Sequence, residues 1–401
     1  MTDAAMVRER ESSLMRFIAP IGGLIGIAVI VAGIVVLSDQ QAGQNMLAAI
    51  FDLLGNTSGA TALRNNSGPD LGYAKLLLAV VALIIGVGGV WMLYIGASAV
   101  VGLLSPRWQN RIIPWVFIGP ALLLLATFLL YPTIATFYTS FTENLVKGDP
   151  LTHYRSLLTA PALLIFRNNI IWVVVGTAGS VGLGLFIAGL VDRVRREALA
   201  KTFIFLPLAI SLVGASVIWR FVYQWRPEGQ AQYGLLNALV TSTGAGPVQW
   251  IQDPSWELPG FSVPLNTLAL VTIFIWLQTG FAMVVLSAAI KGVSVEVIEA
   301  ARLDGASERQ TFFRIIVPII KGSIITVATT IAIAVLKIFD IVYVMTGGRF
   351  ETDVVANAMF LEKFQFFNDG RGAAFAVVLF LAVLPIMFIN VRNLRRQGIG
   401  S

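Results

Sequence analysis

The chain has 401 residues, of which 57% are hydrophobic and only 12% are charged, about half the charged fraction of a soluble domain. With a mean hydropathy of +0.80, this composition predicts a membrane protein. The lack of cysteine and the single histidine exclude disulfides, thiolate metal sites and histidine metal clusters within the chain, and we expect His153 to be an ordinary loop residue. The net charge of +6 comes from basic residues beside apolar runs, which favours membrane orientation over nucleic-acid binding.

Eight apolar runs are long enough to cross a bilayer, which takes about 20 mostly apolar residues in a helix. They lie at about 17–37, 75–104, 114–138, 170–191, 203–225, 267–290, 323–345 and 373–391. This pattern predicts an all-α integral membrane protein with about eight transmembrane helices. We expect the first run to be retained, because it is longer than a usual signal-peptide apolar region and no small-x-small cleavage pattern follows it.

Lysine and arginine set the expected orientation of these helices. With the N-terminus in the cytoplasm, the inner segments hold about twice as many basic residues as the outer ones, so we expect both termini to be cytoplasmic. The chain then divides into a cytoplasmic N-terminus (1–16), a two-span hairpin (17–104), a six-span core (114–391) that contains a cytoplasmic loop (291–322), and a cytoplasmic tail (392–401).

The loop between the sixth and seventh predicted spans is typical of two short helices joined by a sharp bend. Ser294 is a candidate N-cap for the first helix, with Glu296 in its first turn. Gly305 is a candidate for the left-handed residue that ends this helix. Ser307 and Gln310 form a capping-box pattern for the second helix. Periodicity alone favours an amphipathic connector lying in the membrane interface.

The specific string favours a different interpretation. Glu-Ala-Ala, Asp-Gly-Ala and Phe-x-x-Ile-x-x-Pro follow one another from Glu299 to Pro318 and resemble the cytoplasmic signature loop of ABC-importer permeases. We call residues 291–322 the signature loop. In that family this is the coupling loop, which docks into a groove on a separate ATPase subunit. The resemblance carries that role to Glu299, Ala300, Ala301, Asp304, Gly305 and Pro318. Val317 replaces the usual Leu before the proline, and Ser294 replaces the usual Pro near the helix start.

The resemblance extends over about residues 114–391. Residues 339–348 look like the segment that follows the signature loop in carbohydrate permeases, and residues 205–207 and 233–237 also resemble that group. Within it the chain looks most like the larger, maltose-type membrane subunit, closest to α-glucoside permeases. The six-span core is then expected to be an importer permease core in the cytoplasmic (inner) membrane, passing an oligosaccharide by alternating access.

The resemblance also implies the partners of this chain. They are ATP-binding cassette ATPase subunits, a second permease subunit in a heterodimer, and an extracytoplasmic sugar-binding protein; membrane lipid surrounds the spans, and no nucleic acid is expected. No Gly-x-x-x-x-Gly-Lys-Ser/Thr string occurs in the chain, so we expect ATP and Mg to bind the partner ATPase. We therefore expect a transport subunit that is not itself an enzyme, with no cofactor or metal of its own.

Polar residues inside the predicted spans are candidates for the substrate path. A charged residue within a span usually faces the bundle interior or a water-filled cavity, and aromatic faces with neutral hydroxyls suit a sugar. The candidates are Ser216, Arg220, Tyr223, Trp276, Thr279, Thr330, Lys337, Asp340 and Tyr343. These candidates lie in the fifth, sixth and seventh predicted spans. The family resemblance places the sugar site on these three spans and the last one.

Helical spacing supports a path along the seventh span. It places on one helical face Ser323, Thr326, Thr330, Lys337 and Asp340. The alternative is a structural ion pair between Lys337 and Asp340 near the outer end, with the lysine snorkelling outward. Arg220 could equally snorkel, and the tryptophans could equally be interface or packing residues.

Two other functions were weighed against sugar import. A secondary transporter driven by an ion gradient explains the charged residues within spans, but it does not explain the signature loop. A lipid-linked glycosyl transferase needs a carboxylate cluster or metal site near one membrane face, whereas acidic residues such as Asp253, Glu257 and Asp353 are scattered. Uptake that needs ATP and survives collapse of the ion gradients separates import from the first alternative.

Overall fold

The part of the chain covered by the computed structural model is nearly all helical. The described residues are 57–65, 105–142, 149–191, 195–255 and 263–398, with single positions between 45 and 101. The predicted span at 17–37 lies outside the described residues. The predicted span at 75–104 also lies outside them, except for isolated positions. The chain divides into two units, Met1–Pro132 and Thr133–Ser401.

In the first unit, helix α1 covers Thr57–Asn65 and helix α2 covers Pro106–Leu125. Pro106 suits the start of α2, because the first turn of a helix does not need its N–H. A π-helical turn at Ala126–Leu130 then leads into α3 at Tyr131–Thr142, most of which belongs to the second unit. Large apolar side chains of α2 such as Trp115 are exposed, as on a helix that faces lipid.

The Thr133–Ser401 unit contains the rest of the described helices. In chain order they are α4 (Thr152–Ser156), α5 (Ala160–Ile171), α6 (Thr177–Val191), α7 (Glu197–Phe205), α8 (Leu212–Val222), α9 (Leu235–Ser242), α10 (Leu265–Lys291), α11 (Val295–Leu303), α12 (Glu308–Gln310), α13 (Val317–Ile319), α14 (Lys321–Leu336), α15 (Asp340–Met345), α16 (Val355–Phe364) and α17 (Asp369–Gly398). Irregular turns join some of them: π-helical Trp172–Gly176 and Thr311–Ile316, and the 3-10 turn Leu206–Ala209.

Six segments of the described residues match the last six predicted spans. Four are single helical stretches: Ala121–Thr142, Ala160–Val191, Leu265–Lys291 and Asp369–Asn393. Two are bent pairs: Glu197–Ala209 with Leu212–Val222, at 99°, and Glu308–Ile319 with Lys321–Leu336, at 70°. The all-α membrane fold predicted for the core is confirmed.

The fifth predicted span, 203–225, is not one straight helix. Pro207 lies in the 3-10 turn after α7, where it removes a backbone donor and ends regular helix. Ser211 then starts α8 as an N-cap, with its hydroxyl accepting a hydrogen bond from the Gly214 amide at 3.0 Å. The bend therefore has a local cause that is visible in the sequence.

The seventh predicted span, 323–345, is also interrupted, and the single stripe predicted along it is wrong. Helix α14 ends at Leu336, Lys337 leaves the helix, and Asp340 begins α15. The buried Asn169 of α5 donates a hydrogen bond to the Leu336 carbonyl at 3.3 Å. A continuing helix would use that carbonyl for the Asp340 amide, so a contact from another span replaces the helical bond.

His153 is not the loop residue expected from the sequence. It lies in α4 and is 6% exposed. Its imidazole packs directly against Gly370 at the start of α17, where there is no room for a side chain at position 370. The only histidine of the chain is therefore part of the packing between a short connecting helix and the last span.

Helix α10 is the centre of the core. Its buried side chains, which include Phe274 and Leu277, pack with residues of α14 and with Trp172. Helix α6 approaches α10 at Gly184, where an added Cβ would lie 2.5 Å from the Ala282 Cβ and 2.9 Å from the Met283 amide nitrogen. Only glycine permits this distance between the two helices.

This contact predicts that Gly184→Ala destabilises the protein, because the helices must separate to admit a methyl group, at about 1–3 kcal/mol. Gly182→Ala is the matched control: it lies in the same helix with nothing within 4 Å of its added Cβ, so the better helix former should leave stability equal or higher. Unfolding midpoints of both variants in detergent measure the difference. Equal midpoints would contradict the role of the contact.

Candidate functional site

The first helix of the signature loop, α11, starts at Ser294 but is not capped as predicted. Ser294 has the extended backbone of an N-cap, yet its hydroxyl accepts no hydrogen bond from the helix. Instead the Glu296 carboxylate accepts from its own backbone amide and from the Ser294 hydroxyl, and these bonds lower the pKa of Glu296. The negative charge thus lies in the first turn, as the helix dipole favours.

The bend after α11 forms at Gly305, as predicted. Gly305 has φ +80°, its amide donates to the Arg302 carbonyl at 3.0 Å, and the Ala306 amide donates to the Ala301 carbonyl at 3.0 Å. These two bonds define a Schellman motif, which needs a left-handed residue at this position. A side chain at position 305 would strain the backbone.

The second helix of the signature loop begins with the predicted capping box. The Ser307 hydroxyl accepts from the Gln310 amide at 3.4 Å, and the Gln310 side chain accepts from the Ser307 amide at 2.8 Å. An ion pair between Arg302 and Glu308 at 3.0 Å spans the bend; because both side chains are exposed, it adds little stability. The bend is thus fixed by hydrogen bonds to backbone groups on both sides.

Apolar packing anchors the base of the signature loop to the spans. Val293, Ile316 and Ile320 form a buried cluster that includes residues of α10 and α14. The ring of Phe312 lies against Gly189 of α6, where an added Cβ would be 2.8 Å from Phe312 Cε2. The loop is therefore a folded part of the membrane domain and not a free connector.

The outer face of the signature loop is exposed. Of the six residues assigned to it by resemblance, the five exposed ones are Glu299, Ala300, Asp304, Gly305 and Pro318. Ala301 is only 6% exposed and belongs to the inner side of the bend.

Large apolar side chains of the signature loop are also exposed. They are Val295, Val297, Leu303, Phe313 and Ile319, with Leu303 89% exposed. An apolar surface rimmed by charges marks an interaction site. The exposure of Leu303 could not be predicted, because no sequence signal tells which side of a short helix faces the core.

Three of the candidate path residues are buried and bonded within the chain. Ser216 donates to the Leu212 carbonyl at 2.7 Å, and Thr279 donates to the Ile275 carbonyl at 2.7 Å. Tyr223, only 4% exposed, donates to the Ala269 carbonyl at 2.9 Å and so links α8 to α10. These contacts place the three side chains in the core of this conformation and away from its surface.

The other candidates lie at or near the surface of this chain. Arg220, Thr330, Lys337 and Tyr343 are exposed, and Asp340 and Trp276 are partly buried. Helices α8 and α15 pack together, which makes neighbours of the helices that carry Arg220 and Asp340. Among the described residues neither Lys337 nor Asp340 has an ion-pair partner, so the structure does not contain the Lys337–Asp340 pair that the sequence left open.

An aromatic row continues outward from Tyr343. Its ring stacks on Phe339 at 5.0 Å between centroids and meets Phe360 edge-on at 5.3 Å. Phe360 in turn lies 5.0 Å from Phe364, which is 58% exposed. Phe360 and Phe364 are not among the residues predicted for the path, since α16 belongs to no predicted span.

Buried asparagines hold the turn between α15 and α16 in a strained conformation. Phe350 and Glu351 have φ of 60° and 58°, which is unfavourable for residues with a side chain. The Asn266 amide donates to the Phe350 carbonyl at 2.7 Å, and the Asn168 amide donates to the Glu351 and Asp353 carbonyls at 2.6 and 2.9 Å. Three spans are therefore joined at this turn.

Two acidic side chains beside this turn are partly or largely buried. Burial raises the pKa of Asp353 to about 6, although its Oδ1 accepts from the Asn357 side chain at 2.7 Å and the Val354 amide at 2.8 Å. Burial also raises the pKa of Glu362, partly offset by Arg371, whose guanidinium lies 2.8 Å from the carboxylate. Both groups favour the folded state most when they are protonated.

Comparisons with known proteins agree with these features. The family model for a binding-protein-dependent transport system inner membrane component matches residues 180–397. The osmoprotective compounds uptake permease protein GgtC of Synechocystis is 50% identical, over 70% of this chain and 99% of that protein. The alpha-glucoside transport system permease protein AglF of Rhizobium meliloti is 46% identical, over 73% of this chain and 86% of that protein.

A solved structure shares the fold. It is a bacterial alginate ABC transporter in complex with an alginate pentasaccharide-bound periplasmic protein. The similar chain has a TM-score of 0.61 at 18% sequence identity, with 73% of this chain and 97% of that chain covered.

The raised pKa of Asp353 gives a prediction with a definite sign. Because the folded pKa lies above the ordinary value of 3.8, stability is greatest below about pH 4 as far as this group is concerned, and it falls as pH rises towards 6. Asp353→Asn should remove that part of the pH dependence and raise stability at pH 7 by about 1–3 kcal/mol. Unfolding midpoints at pH 4 and pH 7 measure it, and an unchanged pH slope would contradict the assignment.

Proposed function

The chain belongs to the family of binding-protein-dependent transport system inner membrane components, and we propose that it passes an oligosaccharide of the α-glucoside class as the permease subunit of an ATP-driven importer. One observation carries the proposal: the string from Glu299 to Pro318 forms a rigid, bent element with an exposed mixed apolar and charged face. An element held to the spans at its base and free on its outer face can transmit the motion of a docked partner.

The ATPase subunits are the proposed occupants of that face. Their closure on ATP and Mg would move Leu303 and its neighbours, and the fixed Gly305 bend would pass the motion to α10 and α14 as one body. The cavity between the spans would then open outward to accept the sugar. With the signature loop in the cytoplasm, both termini are cytoplasmic, in agreement with the distribution of basic residues.

A second permease subunit is proposed from the exposed charges. Arg220 and Lys337 lie in or next to segments apolar enough to span the membrane, and a charged side chain that faces lipid is costly. A second subunit that encloses a watery path along this side would remove that cost. An extracytoplasmic binding protein would deliver the sugar, as the periplasmic protein named with the alginate transporter suggests.

The sugar path is proposed along the exposed polar side chains and the aromatic row. Pyranose rings have apolar C–H faces that stack on aromatic rings and hydroxyls that bond to polar groups. Stacking surfaces are offered by Trp276, Tyr343 and the neighbouring phenylalanines. Polar groups for the hydroxyls are offered by Arg220, Thr330 and Asp340. The α-glucoside class rests on the similarity to AglF; the name of GgtC makes an osmoprotective compound the second candidate substrate.

Reconstitution tests the proposed function. The chain is placed in liposomes with its ATPase, second permease and binding protein, and uptake of maltose and trehalose is compared with that of the β-linked disaccharide cellobiose. The proposal expects uptake of an α-glucoside that requires ATP inside and persists after proton and sodium gradients are collapsed. Uptake driven by a gradient in the absence of ATP would replace it with a secondary transporter.

Variants of the signature loop should separate coupling from folding. Gly305→Pro removes the hydrogen bond that the amide of residue 305 donates to the Arg302 carbonyl, and it forbids φ +80°. Glu299→Lys reverses the charge on the docking face. Both should reduce uptake by at least about tenfold while membrane abundance stays normal. Gly292→Ala is the control, because its added Cβ meets only ordinary contacts at 3.4 Å or more. Normal uptake by Gly305→Pro and Glu299→Lys would argue against the coupling role.

Asp340→Ala tests the path. The loss of a polar group that faces the sugar should lower uptake by about tenfold, the usual effect of one lost hydrogen bond to a charged group. Its membrane abundance should match that of Asp253→Ala, a change in an outer connection. If uptake falls only in proportion to abundance, Asp340 has a structural role instead.

A further inference from the structure

One carboxylate joins the start of the signature loop to the neighbouring bent pair of helices. Glu197 Oε1 accepts from Lys201 Nζ, one turn further along α7, and from Lys291 Nζ, each at 2.5 Å. Lys201 also donates to the hydroxyl of Ser287 on α10, which is 1% exposed. A single oxygen thus connects two ammonium groups from two helices.

The position of Lys291 gives this triad its importance. Lys291 is the last residue of α10 and the first of the signature loop, and Val293 two residues later is buried in the base of that loop. Glu197 is the first residue of α7, which continues through the 3-10 turn into α8. The triad therefore lies where α10 passes into the signature loop and where the bent pair begins.

A second contact fixes α7 to α10 further along the same helices. An added Cβ at Gly280 would lie 2.5 Å from the Ile204 carbonyl oxygen, so the two backbones touch there. Without Glu197, α7 would keep this contact and the Lys201–Ser287 hydrogen bond, but it would lose its bond to Lys291. With Glu197, the start of the signature loop is also held to α7, so that the two move together.

Loss of the carboxylate changes more than one bond. It would remove the carboxylate charge that lies between the ammonium groups of Lys201 and Lys291, and neighbouring like charges repel. The Lys291 side chain is 53% exposed and can turn into solvent. The Glu197–Lys291 ion pair is too exposed to contribute much to the stability of the protein. Its effect is therefore to position the start of the signature loop against α7.

We infer that Glu197 is a positioning residue that locks the start of the signature loop to α7, so that movement of the loop is transmitted to the α7–α8 pair, which carries Arg220. The inference rests on the proposed function. It adds a second connection between the loop and the path, besides the apolar base formed by Val293, Ile316 and Ile320. Through this connection α8 moves in step with the ATPases.

The main test measures ATP hydrolysis and sugar uptake on the same liposomes, with the full importer. Glu197→Gln keeps the size of the side chain and removes its charge. We expect the ATP consumed per sugar imported to rise about threefold to tenfold. The exchange Glu197→Lys with Lys291→Glu restores one carboxylate between two ammonium groups, and it should bring the ratio back to within about twofold of the natural protein.

The control is Asp149→Asn, which breaks the ion pair with Arg155 at 2.8 Å on a predicted outer segment. Its ratio should be unchanged. An unchanged ratio in Glu197→Gln, a proportional loss of both rates, or failure of the exchange to restore the ratio would each overturn the inference. ATP-independent behaviour of the natural protein would instead overturn the proposed function.

A distance measurement tests the contact without transport. The chain has no cysteine, so cysteines can be introduced for spin labels at Ala198 and Arg309, both exposed, in the nucleotide-free complex. We expect one narrow distance distribution in the natural protein, a broader one in Glu197→Gln, and a narrow one again in the exchange variant. Equal widths in all three would show that the triad does not position the loop.

Discussion

The close approach of α6 to α10 at Gly184 is the contact on which the rest of the core depends. It sets the position of α10, the most buried span, and α10 leads without a break into the signature loop. The base of that loop then packs against Gly189 on the same α6 through Phe312. Two glycines of one helix thus define both the core and the place of the loop, because the absence of a side chain lets α10 approach at Gly184 and the Phe312 ring approach at Gly189.

The signature loop shows how local chemistry can make a rigid element from few residues. Its bend has a Schellman motif on one side and a capping box on the other, so nearly all the backbone groups around it are bonded. The exposed side chains that take no part in these bonds are then available to contact a partner. This division suits a part that must hold its shape while a partner pushes on it.

Sequence reasoning succeeded where the cause of a structure lies within a few residues. The Gly305 bend, the Ser307–Gln310 box and the apolar spans of the core are of this kind. It failed at the break after Leu336, where the cause is Asn169, distant in sequence. It could not tell that Tyr223 faces the core while Arg220, on the same helix, does not. Helical spacing defines a face but not what that face meets, so the predicted path was only partly brought together.

Two surfaces of this chain have the features of interaction sites: the exposed charges in or beside the spans, and the exposed face of the signature loop. Arg220 and Lys337 have no ion pair among the described residues, and several apolar side chains of the signature loop, Leu303 above all, are exposed. We propose a second membrane subunit as the partner of the exposed charges and an ATPase as the partner of the loop face. In the proposed mechanism both surfaces move together, because the signature loop connects them.

Site-specific cross-linking from the signature loop tests this account most directly. A cysteine is introduced at Leu303, in a chain that otherwise has none, and reacted with a short photo-activated cross-linker in native membranes; Leu235 on α9, 58% exposed in a predicted outer segment, is the control position. The account predicts that Leu303→Cys forms an adduct with an ATP-hydrolysing subunit, identified by mass spectrometry, and that Leu235→Cys does not. No ATPase adduct from position 303, or equal adducts from both positions, would contradict it.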